Sequence, residues 1–403
     1  MKLPDLPDFH RRATLLAHVR QTLAFYHPRA FDPSGGFFQF LKDDGRVYDA
    51  HTRHLVSSTR YVFLWAMAAR HWPEEPAFLD NTRHALRFLR EAHRDPVSGG
   101  YRWLLRWENG QAETLDPTQH CYGLAFVLLA CAHAVMAGLD EARPWLDETF
   151  ELMEQRFWQA QHGLYADEAD ADWRLSPYRG QNANMHATEA LLAAFEATGE
   201  ARFLERASLL AENVTVKLTA QTDGLMIWEH YRADWSVDWD YNRHDSSNIF
   251  RPWGYQPGHF TEWAKLLLIL ERHSPAPWLL PKAEALFERA LQHAWDKQHG
   301  GLYYGFGPDY AICDERKYHW VQAETLAAAA LLGQRTGKAQ YWDGYDKLWA
   351  YCWQHWIDHE HGAWFRLLTR DNRNTTDEKS PAGKVDYHTT GACYDILSTL
   401  KDG

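Results

Sequence analysis

The stretch His299-Gly300-Gly301-Leu302-Tyr303-Tyr304 is the fullest copy of a glycine–aromatic turn that recurs along this chain. The other copies are Gly35-Gly36-Phe37-Phe38, Gly99-Gly100-Tyr101, His162-Gly163-Leu164-Tyr165, Asp223-Gly224-Leu225 and His361-Gly362-Ala363-Trp364-Phe365. Their last glycines stand at 36, 100, 163, 224, 301 and 362, so the steps are 64, 63, 61, 77 and 61 residues. A period of that length holds two helices and a turn, and glycine suits a turn that needs positive φ. The sequence therefore predicts six helical hairpins.

The helices of these hairpins are of two kinds. In the first kind, apolar residues recur at helical spacing between charged ones, as in residues 203–214 and 283–294. In the second kind the segment is apolar nearly all round, as in residues 121–138, 260–270 and 321–332. The first pattern predicts an outer layer with one face in solvent, and the second predicts a buried inner layer.

The last repeat decides between an open superhelix and a closed ring. An open array ends in repeats with a polar outer face, yet residues 387–400 have the apolar character of an inner helix. Gly138, Gly199 and Gly337 follow inner segments at the place of a left-handed helix cap, and an outer segment begins soon after each. We therefore predict an all-α fold, an (α/α)6 toroid with inner and outer helix rings, formed by one domain over residues 1–403.

The composition narrows the class of protein. Of the 403 residues, 45% are hydrophobic and 14% aromatic, which is ample for a large core, and the net charge of -12 argues against nucleic acid or an anionic membrane as partner. The five cysteines are an odd number without CxxC spacing, as is typical of reduced thiols. Neither a secretory signal nor an apolar run of about 18 residues is present. We expect a soluble cytoplasmic protein, either a monomer or a homodimer.

One side chain stands in the first turn of each predicted inner helix. These residues are Arg60, Tyr122, His186, His259, Glu324 and His388, at steps of 62, 64, 73, 65 and 64 residues. Any one of them alone is ordinarily a capping or helix-dipole effect. Because all six recur with the period of the turns, a closed ring would direct them into one pocket. Helix N-termini at that end also offer free N–H groups to oxyanions.

Several neighbouring side chains are further candidates for ligand contact. Asn182 and His186 are four residues apart on one helix face, so both can meet a hydroxyl group. Glu262 follows His259 by three residues and is expected either to hold that imidazole in one tautomer or to be a helix N-terminal acid. Glu189 is either the buried partner of His186 or a structural acid.

Aromatic residues and two long segments are expected at the pocket mouth. The chain has 20 tryptophans, of which Trp253 and Trp320 are placed to stack on a sugar face or, equally well, to fill the core. Residues 229–258 form an insert that accounts for the longest step between turns, the 77 residues from Gly224 to Gly301. Long segments without helical periodicity are usually functional, so we expect this insert and residues 369–386 to wall the pocket. The alternative is a dimer contact.

Other motifs of catalysis are missing from the sequence. There is no HExxH, no His-x-His and no carboxylate–histidine spacing typical of a metal site, and neither GxGxxG nor GxxxxGK[ST] occurs. No GxSxG elbow is present either. We therefore expect no metal and no cofactor, and the histidines and arginine indicate acid–base chemistry on a neutral polyol.

Four longer stretches carry a resemblance to a known family. Residues 52–60, 176–186, 251–259 and 377–384 resemble the N-acylglucosamine 2-epimerase superfamily, and within it the D-mannose isomerase branch. Members of that superfamily are (α/α)6 barrels that act on carbohydrates by metal-independent proton transfer. The resemblance implies an isomerase that interconverts D-mannose and related aldoses with D-fructose through ring opening and a cis-enediolate.

The resemblance also implies roles for matching positions. His259 and His388 would be the acid–base pair, and Arg60 would contact the oxygen that becomes anionic. Substrate contacts are implied for Tyr122, Asn182, His186, Glu262, Trp320 and Glu324.

Three alternatives remain open at this point. A sugar 2-epimerase, of the mannose/glucose or the N-acylglucosamine type, would use His259 to return the proton to C2 from the opposite face. A glycoside hydrolase on the same toroid would need two carboxylates astride the bond, for which Glu262 and Glu324 are the obvious inner-ring acids. A helical-repeat scaffold for other proteins is the third alternative.

Overall fold

Two concentric rings of helices make up the computed structural model, which describes residues 3–245, 248 and 250–400. Within that part of the chain there are twelve α-helices. The inner ring consists of α2 (Leu55–His71), α4 (Cys121–Met136), α6 (Gln181–Thr198), α8 (Pro257–His273), α10 (His319–Thr336) and α12 (Tyr387–Leu397). The outer ring consists of α1 (Arg12–Tyr26), α3 (Pro76–Phe88), α5 (Arg143–Arg156), α7 (Ala201–Glu212), α9 (Leu279–Ala294) and α11 (Ala339–His355).

The inner ring is closed. Each inner helix packs on the next one in chain order, and α12 packs back on α2. The outer helices α3, α5, α7, α9 and α11 each pack on the inner helix before them, whereas α1 packs on α12. Tyr26 at the end of α1 donates a hydrogen bond to Asp386 Oδ2 at 2.5 Å. The predicted closure is therefore confirmed, and the sixth hairpin joins the first helix to the last.

Burial separates the two rings as the apolar patterns predict. In α4 every residue from Leu124 to Ala132 is buried, whereas α7 buries one face through Phe203, Ala207 and Leu210. The helices α6 and α10 end at Gly199 and Gly337 in the left-handed conformation. Within the described residues, no helix has both the length and the apolar character needed to cross a membrane.

Short antiparallel strands cover one end of the barrel. Four strands lead directly into the inner helices α2, α4, α6 and α10. They are β3 (Thr52–His54), β6 (Gln119–His120), β10 (Arg179–Gly180) and β14 (Lys317–Tyr318). The others are β1 (Phe40–Lys42), β2 (Val47–Asp49), β4 (Leu104–Glu108), β5 (Gln111–Asp116), β7 (Trp158–Gln159), β8 (Leu164–Tyr165), β9 (Glu168–Ala169), β11 (His230–Tyr231), β12 (Gly305–Phe306), β13 (Ile312–Asp314), β15 (Leu367–Leu368) and β16 (Glu378–Ser380). The sheets are β16-β1-β2, β3-β4-β5, β6-β9, β7-β8, β10-β11, β12-β13 and β14-β15. They hold the N-terminal ends of the inner helices in place.

Two features of the turns require glycine, namely a positive φ and a lack of space for a Cβ atom. Gly301 has φ +73°, and a Cβ there would lie 2.5 Å from the Tyr351 ring, so both its backbone angle and its space demand glycine. In the second turn the two requirements fall on different residues. Gly99 takes φ +73°, whereas Gly100 leaves room for Gln119, whose Oε1 would be 2.0 Å from a Cβ.

A buried ion pair ties three of these turns to the inner ring. In each pair an aspartate of the turn bonds a cation 21 residues later, on the strand before an inner helix or, for β16, shortly before α12. The pairs are Asp32–Arg53 at 2.6 Å, Asp296–Lys317 at 2.9 Å and Asp358–Lys379 at 2.6 Å. We refer to them as the turn acid–cation pairs. In the third turn Gln159 takes the place of the acid and accepts from Arg179 at 3.1 Å.

Candidate active site

The predicted common pocket lies at the N-terminal end of the inner ring. Eight of the ten residues predicted from the sequence line it together: Arg60, Tyr122, Asn182, His186, His259, Glu262, Trp320 and His388. The insert contributes Phe250 and Pro252, and the segment before α12 contributes residues 381–384. The expectation that these two segments wall the pocket is therefore confirmed.

The other two predicted residues do not reach the pocket wall. Trp253 lies outside the lining, where its Nε1 donates to the carbonyl of Trp239 at 2.6 Å and its ring packs against Trp228. The insert thus uses Trp253 to hold its own fold. Glu324 lies behind His388 and contacts that histidine instead of the pocket.

The environment of His388 makes it a base. Its Nδ1 is 2.7 Å from Glu324 Oε1, so the carboxylate accepts the Nδ1 hydrogen and leaves a lone pair on Nε2. Arg60 approaches that Nε2 at 3.3 Å as a donor. Burial, and then the positive charge of Arg60, hold the pKa of His388 well below its usual value. The ring is therefore neutral, with Nε2 directed to the pocket.

Arg60 is fixed in a cage of aromatic rings. Its guanidinium carbon lies 4.6 Å from the ring centres of both Phe126 and Tyr387. It donates to the carbonyl of Gly383 and, at 3.5 Å, to the hydroxyl of Tyr122. A cation held in this way is preorganised to stabilise a negative oxygen.

His259 is held by a different acid from the one expected. Its Nδ1 is 2.9 Å from Glu229 Oε1, and the second oxygen of Glu229 accepts from Gln181 Nε2 at 2.9 Å. Trp263 donates to Gln181 Oε1, which fixes the orientation of that amide. Of the two roles left open for Glu262, that of orienting His259 is wrong, because Nδ1 of this imidazole lies next to Glu229 and Gln181. Glu229 stands in the insert, which has no periodicity from which its position could be predicted.

The pair of His186 and Glu189 is confirmed as a buried contact. His186 Nδ1 is 2.9 Å from Glu189 Oε2, and Tyr387 donates to the other carboxylate oxygen. Burial lowers the pKa of His186. Burial also opposes ionisation of Glu189, but the hydrogen bonds from His186 and Tyr387 hold its pKa low.

Glu262 is a buried acid whose hydrogen-bonding capacity is unused. Neither of its carboxyl oxygens has a hydrogen-bond partner among the described residues, although Oε1 lies 3.9 Å from His186 Nδ1. Burial, and then the nearby Glu324, raise the pKa of Glu262 well above its usual value. A neutral acid at the pocket wall can donate a hydrogen bond to a ligand oxygen.

His319 lines the same pocket and was not singled out from the sequence. Its Nδ1 is 3.1 Å from the carbonyl of Arg366, while Nε2 is buried without a partner among the described residues. Burial holds the pKa of His319 well below its usual value, so Nε2 is an acceptor. His319 stands before Glu324, the first-turn residue of its helix, so the period of the first-turn positions does not reveal it. The signal in the sequence is its position next to Trp320.

Trp320 lies between the two histidines predicted as the acid–base pair. Its ring centre is 5.1 Å from that of His259 and 5.7 Å from that of His388, at interplanar angles of 35° and 37°. The indole therefore forms an apolar wall to which both imidazoles are adjacent.

The closed ring also assembles acids and histidines that are far apart in sequence. There are two such groups among the described residues, and within each the donor atoms lie within 4.8 Å of one another. One group is His186, Glu189 and Glu262, and the other is Glu262, Glu324 and His388. The sequence has no local metal-ligand spacing, and these groups form because ring closure brings together residues of four helices. Two cations lie against these donors. Lys265 Nζ is 2.7 Å from Glu324 Oε2, and Arg60 is 3.3 Å from His388.

Fold and pocket together define an (α/α)6-barrel protein with an acid–base pocket at the N-terminal end of its inner ring. The model of the N-acylglucosamine 2-epimerase (GlcNAc 2-epimerase) family matches residues 36–392. The chain belongs to that family.

Individual relatives place the chain within the family. It is 52% identical over 395 residues to a D-mannose isomerase of Marinomonas mediterranea, covering 98% of this chain and 99% of the relative. A crystal structure of D-mannose isomerase superposes with a TM-score of 0.95 at 52% identity, covering 98% of this chain and 100% of that one, which confirms the toroid. A cellobiose 2-epimerase of Eubacterium cellulosolvens is 24% identical over 403 residues, covering 94% of this chain and 96% of the relative.

Proposed function

We propose that this protein is an aldose–ketose isomerase that interconverts D-mannose, and related aldoses, with D-fructose without a metal. The observation that carries the proposal is the placement of His388, whose Nδ1 lies 2.7 Å from Glu324 and whose Nε2 lies 3.3 Å from Arg60 inside the pocket. A base beside a fixed cation suits removal of a weakly acidic C–H proton next to a carbonyl group. The 52% identity to a D-mannose isomerase supports the choice of sugar.

In the proton-transfer step, His388 acts on one face of the open-chain sugar. Its Nε2 takes the C2 proton of mannose, and the electrons form a cis-enediolate whose oxygen is stabilised by Arg60. The hydroxyl proton on O2 passes to O1, and the same Nε2 then returns its proton to C1 as the C2–O2 bond becomes the carbonyl of fructose. Glu324 accepts the Nδ1 hydrogen of His388 throughout and stabilises the imidazolium that forms.

Ring opening is assigned to His259. This step moves a proton between O1 and the ring oxygen, for which an imidazole nitrogen is suited because it can both accept and donate a proton. Glu229 accepts from His259 Nδ1 at 2.9 Å, so Nε2 is the atom that exchanges the proton. Trp320 separates the two histidines and packs on the sugar between them.

Polar side chains of the wall would bind the remaining hydroxyl groups. Glu262 donates as a neutral acid, His319 accepts through Nε2, and Asn182, Tyr122 and His186 complete the set. Each unpartnered buried atom then gains the hydrogen bond that its burial demands.

The charges around the donor clusters favour chemistry without a metal. A divalent cation bound by Glu324 and His388 would lie beside the ammonium of Lys265 and the guanidinium of Arg60, which oppose it electrostatically. We expect turnover to survive exhaustive dialysis against EDTA. Loss of activity that Mg²⁺, Mn²⁺ or Co²⁺ restores would contradict this part of the proposal.

A sugar 2-epimerase is the second candidate function. The observation in its favour is that His259 and His388 both adjoin Trp320, so each can reach the sugar. A glycoside hydrolase is not favoured, because Glu324 does not line the pocket and so does not form a carboxyl pair astride a bond with Glu262.

The product formed from mannose in D₂O distinguishes the two candidates. An isomerase yields fructose that carries solvent deuterium at C1, partly diluted by direct transfer, with glucose minor or absent. An epimerase places deuterium at C2 of glucose, because the replacement proton comes from the opposite face. Early product analysis by NMR, with purified protein and no added metal, is the test, and glucose as the dominant early product would overturn the isomerase assignment.

The cellular setting is part of the proposal. Five cysteines are free, and four of them, all except Cys313, are buried as thiols. This agrees with a reducing compartment, and we propose a cytoplasmic protein that is a monomer or a homodimer.

A further inference from the structure

A second cavity enters the barrel from the end opposite the pocket. Its lining includes Arg70, Arg272 and Asp395, and in the interior it reaches Lys265 and Glu324. We call it the rear cavity. His388 is not among its lining residues, and Glu324 and Lys265 are not among those of the pocket.

Two histidine–glutamate pairs separate the pocket from the rear cavity. His388 lines the pocket and its partner Glu324 lines the rear cavity, joined by a contact of 2.7 Å. In the same way His186 faces the pocket and Glu189 faces the rear cavity. A charge that acts on Glu324 from the rear can therefore influence His388 without touching the sugar.

Lys265 supplies such a charge. Its side chain is only 5% exposed, and Nζ lies 2.7 Å from Glu324 Oε2 and 3.5 Å from Asp395 Oδ2. Burial opposes the ammonium, but the surrounding acids, Glu324 first, raise the pKa of Lys265 well above its usual value. Glu324 thus meets His388 with one oxygen and a cation with the other.

The charge of Glu324 decides which nitrogen of His388 carries the hydrogen. An ionised carboxylate can only accept, so Nδ1 keeps its hydrogen and Nε2 remains a base. Burial raises the pKa of Glu324, and the ammonium of Lys265 counteracts that rise. If Glu324 became protonated, its O–H would donate to Nδ1, the hydrogen of His388 would move to Nε2, and the base would be lost.

We propose that Lys265 is a positioning residue that keeps Glu324 ionised and thereby fixes the Nδ1–H tautomer of His388. The inference rests on the proposed isomerase function and deepens it. Lys265 contacts neither the pocket nor the sugar, so its effect falls on kcat and leaves KM nearly unchanged.

The first experiment tests whether Lys265 acts through Glu324. Lys265→Met should lower kcat by about 10-fold or more with a KM within about 2-fold of wild type. In the background of Glu324→Gln, which has no charge to maintain, Lys265→Met should cost less than about 2-fold more. Full multiplication of the two losses would overturn the proposal. Lys265→Gln, which keeps the length and polarity of the side chain, serves if Lys265→Met does not fold.

The second experiment uses the rear cavity as an entry route. In Lys265→Ala the vacated space adjoins that cavity, so propylammonium should restore kcat in a saturable manner while 1-propanol, its neutral analogue, should not. Propylammonium should fail in the double variant Lys265→Ala/Glu324→Gln, which is the matched control. Absence of rescue in a folded Lys265→Ala, or equal rescue in the double variant, would count against the proposal.

A spectroscopic measurement separates this inference from the proposed function. The ¹⁵N chemical shifts of His388 in the resting protein report its tautomer whether or not mannose is converted. We expect Nδ1–H in wild type and Nε2–H in Lys265→Met. A wild type that does not convert mannose would refute the proposed function alone, whereas an unchanged tautomer in Lys265→Met would refute the role of Lys265.

Discussion

At the scale of the residue, two buried carboxylates orient the imidazoles of His388 and His259. Glu324 bonds His388 at 2.7 Å and Glu229 bonds His259 at 2.9 Å, in each case through Nδ1. Both rings therefore offer Nε2 to the pocket, and their different surroundings give them different tasks. Only His388 has Arg60 beside that nitrogen.

The first prediction concerns these two histidines. His388→Ala and His259→Ala should each lower kcat by on the order of 10²-fold or more, because each removes an acid–base group. Steady-state kinetics with mannose, together with circular dichroism to show that the variants fold, check this. Near-wild-type turnover by either variant would remove that histidine from the mechanism.

The second prediction concerns the unpartnered acceptor of His319. His319→Phe keeps an aromatic ring but loses Nε2, so kcat/KM for mannose should fall by about 10-fold, the worth of one hydrogen bond. A series of monodeoxy mannoses identifies the hydroxyl that it binds. The sugar that lacks this hydroxyl should react equally slowly with wild type and with His319→Phe, and a loss that is the same for every sugar would contradict the assignment.

The residues at the inner-helix starts were predictable because they recur with the period of the turns. Glu189, the partner of His186, was among the alternatives, but two other partners could not be predicted. Glu229 comes from an insert without periodicity, and Lys265 is a cation on a helix that reads as apolar. Contacts of this kind join segments that are brought together only by the fold, so they do not follow from any spacing along the chain. Trp253 was expected in the pocket but packs within the insert, because an aromatic residue in a long insert can also stabilise the fold of that insert.

At the scale of the element, the turn acid–cation pairs connect three of the six turns to the segments that lead into inner helices. Lys317 is fully buried, and besides Asp296 it donates to the carbonyls of Gly300 and Arg370. Asp296 accepts from the backbone of the turn at Gln298. The pair therefore sets the position of one helix end relative to the turn beside it.

The third prediction follows from that burial. Lys317→Met leaves Asp296 as an unpaired buried charge and should lower the free energy of unfolding by about 3–5 kcal/mol. The double variant Lys317→Met/Asp296→Asn should recover part of this loss. Urea denaturation measures both. As a control, Arg335→Met removes a pair with Glu271 in which the arginine is 50% exposed, and it should change the unfolding free energy far less than Lys317→Met does.

The helices themselves were predictable, because an apolar surface on one side or on all sides determines the ring to which a helix belongs. The turn acid–cation pairs were present in the sequence as a 21-residue spacing between an aspartate and a cation. Such a spacing does not predict an ion pair until the turn and the strand are known to be neighbours. The strands could not be predicted in this way, because all but β4 and β5 have only two or three residues, too few to show alternation.

At the scale of the whole molecule, several buried histidines set the response of stability to acid. Burial lowers the pKa of His54 to about 3. Burial also lowers the pKa of His93 to about 4, although the hydrogen bond that its Nδ1 donates to the carbonyl of Arg102 counteracts the change. Below the unfolded value near 6.5, the unfolded chain therefore binds protons that the folded protein does not. Stability contributed by these neutral rings is lost as the pH falls from about 6.5 toward 4.

The fourth prediction is a melting temperature that decreases steadily between pH 7 and pH 4.5. Burial raises the pKa of Asp167 to about 7, which opposes the trend, because the folded state takes up that proton first. His93→Gln should make the dependence of the unfolding free energy shallower by about 1.4 kcal/mol per pH unit below 6.5. Scanning calorimetry of both proteins checks this, and parallel curves would show that His93 is not responsible.

The contact between α1 and α12 also determines the order of events during folding. Tyr26 and Asp386, which bond across it, are 360 residues apart in the chain, whereas the other hairpins join consecutive helices. Distant contacts form slowly, so we expect a refolding chain to pass through an open horseshoe whose inner helices still face water, a state that would associate readily. His388 lies on α12 and enters the pocket only when this gap closes. Catalytic activity should therefore return later than helical structure.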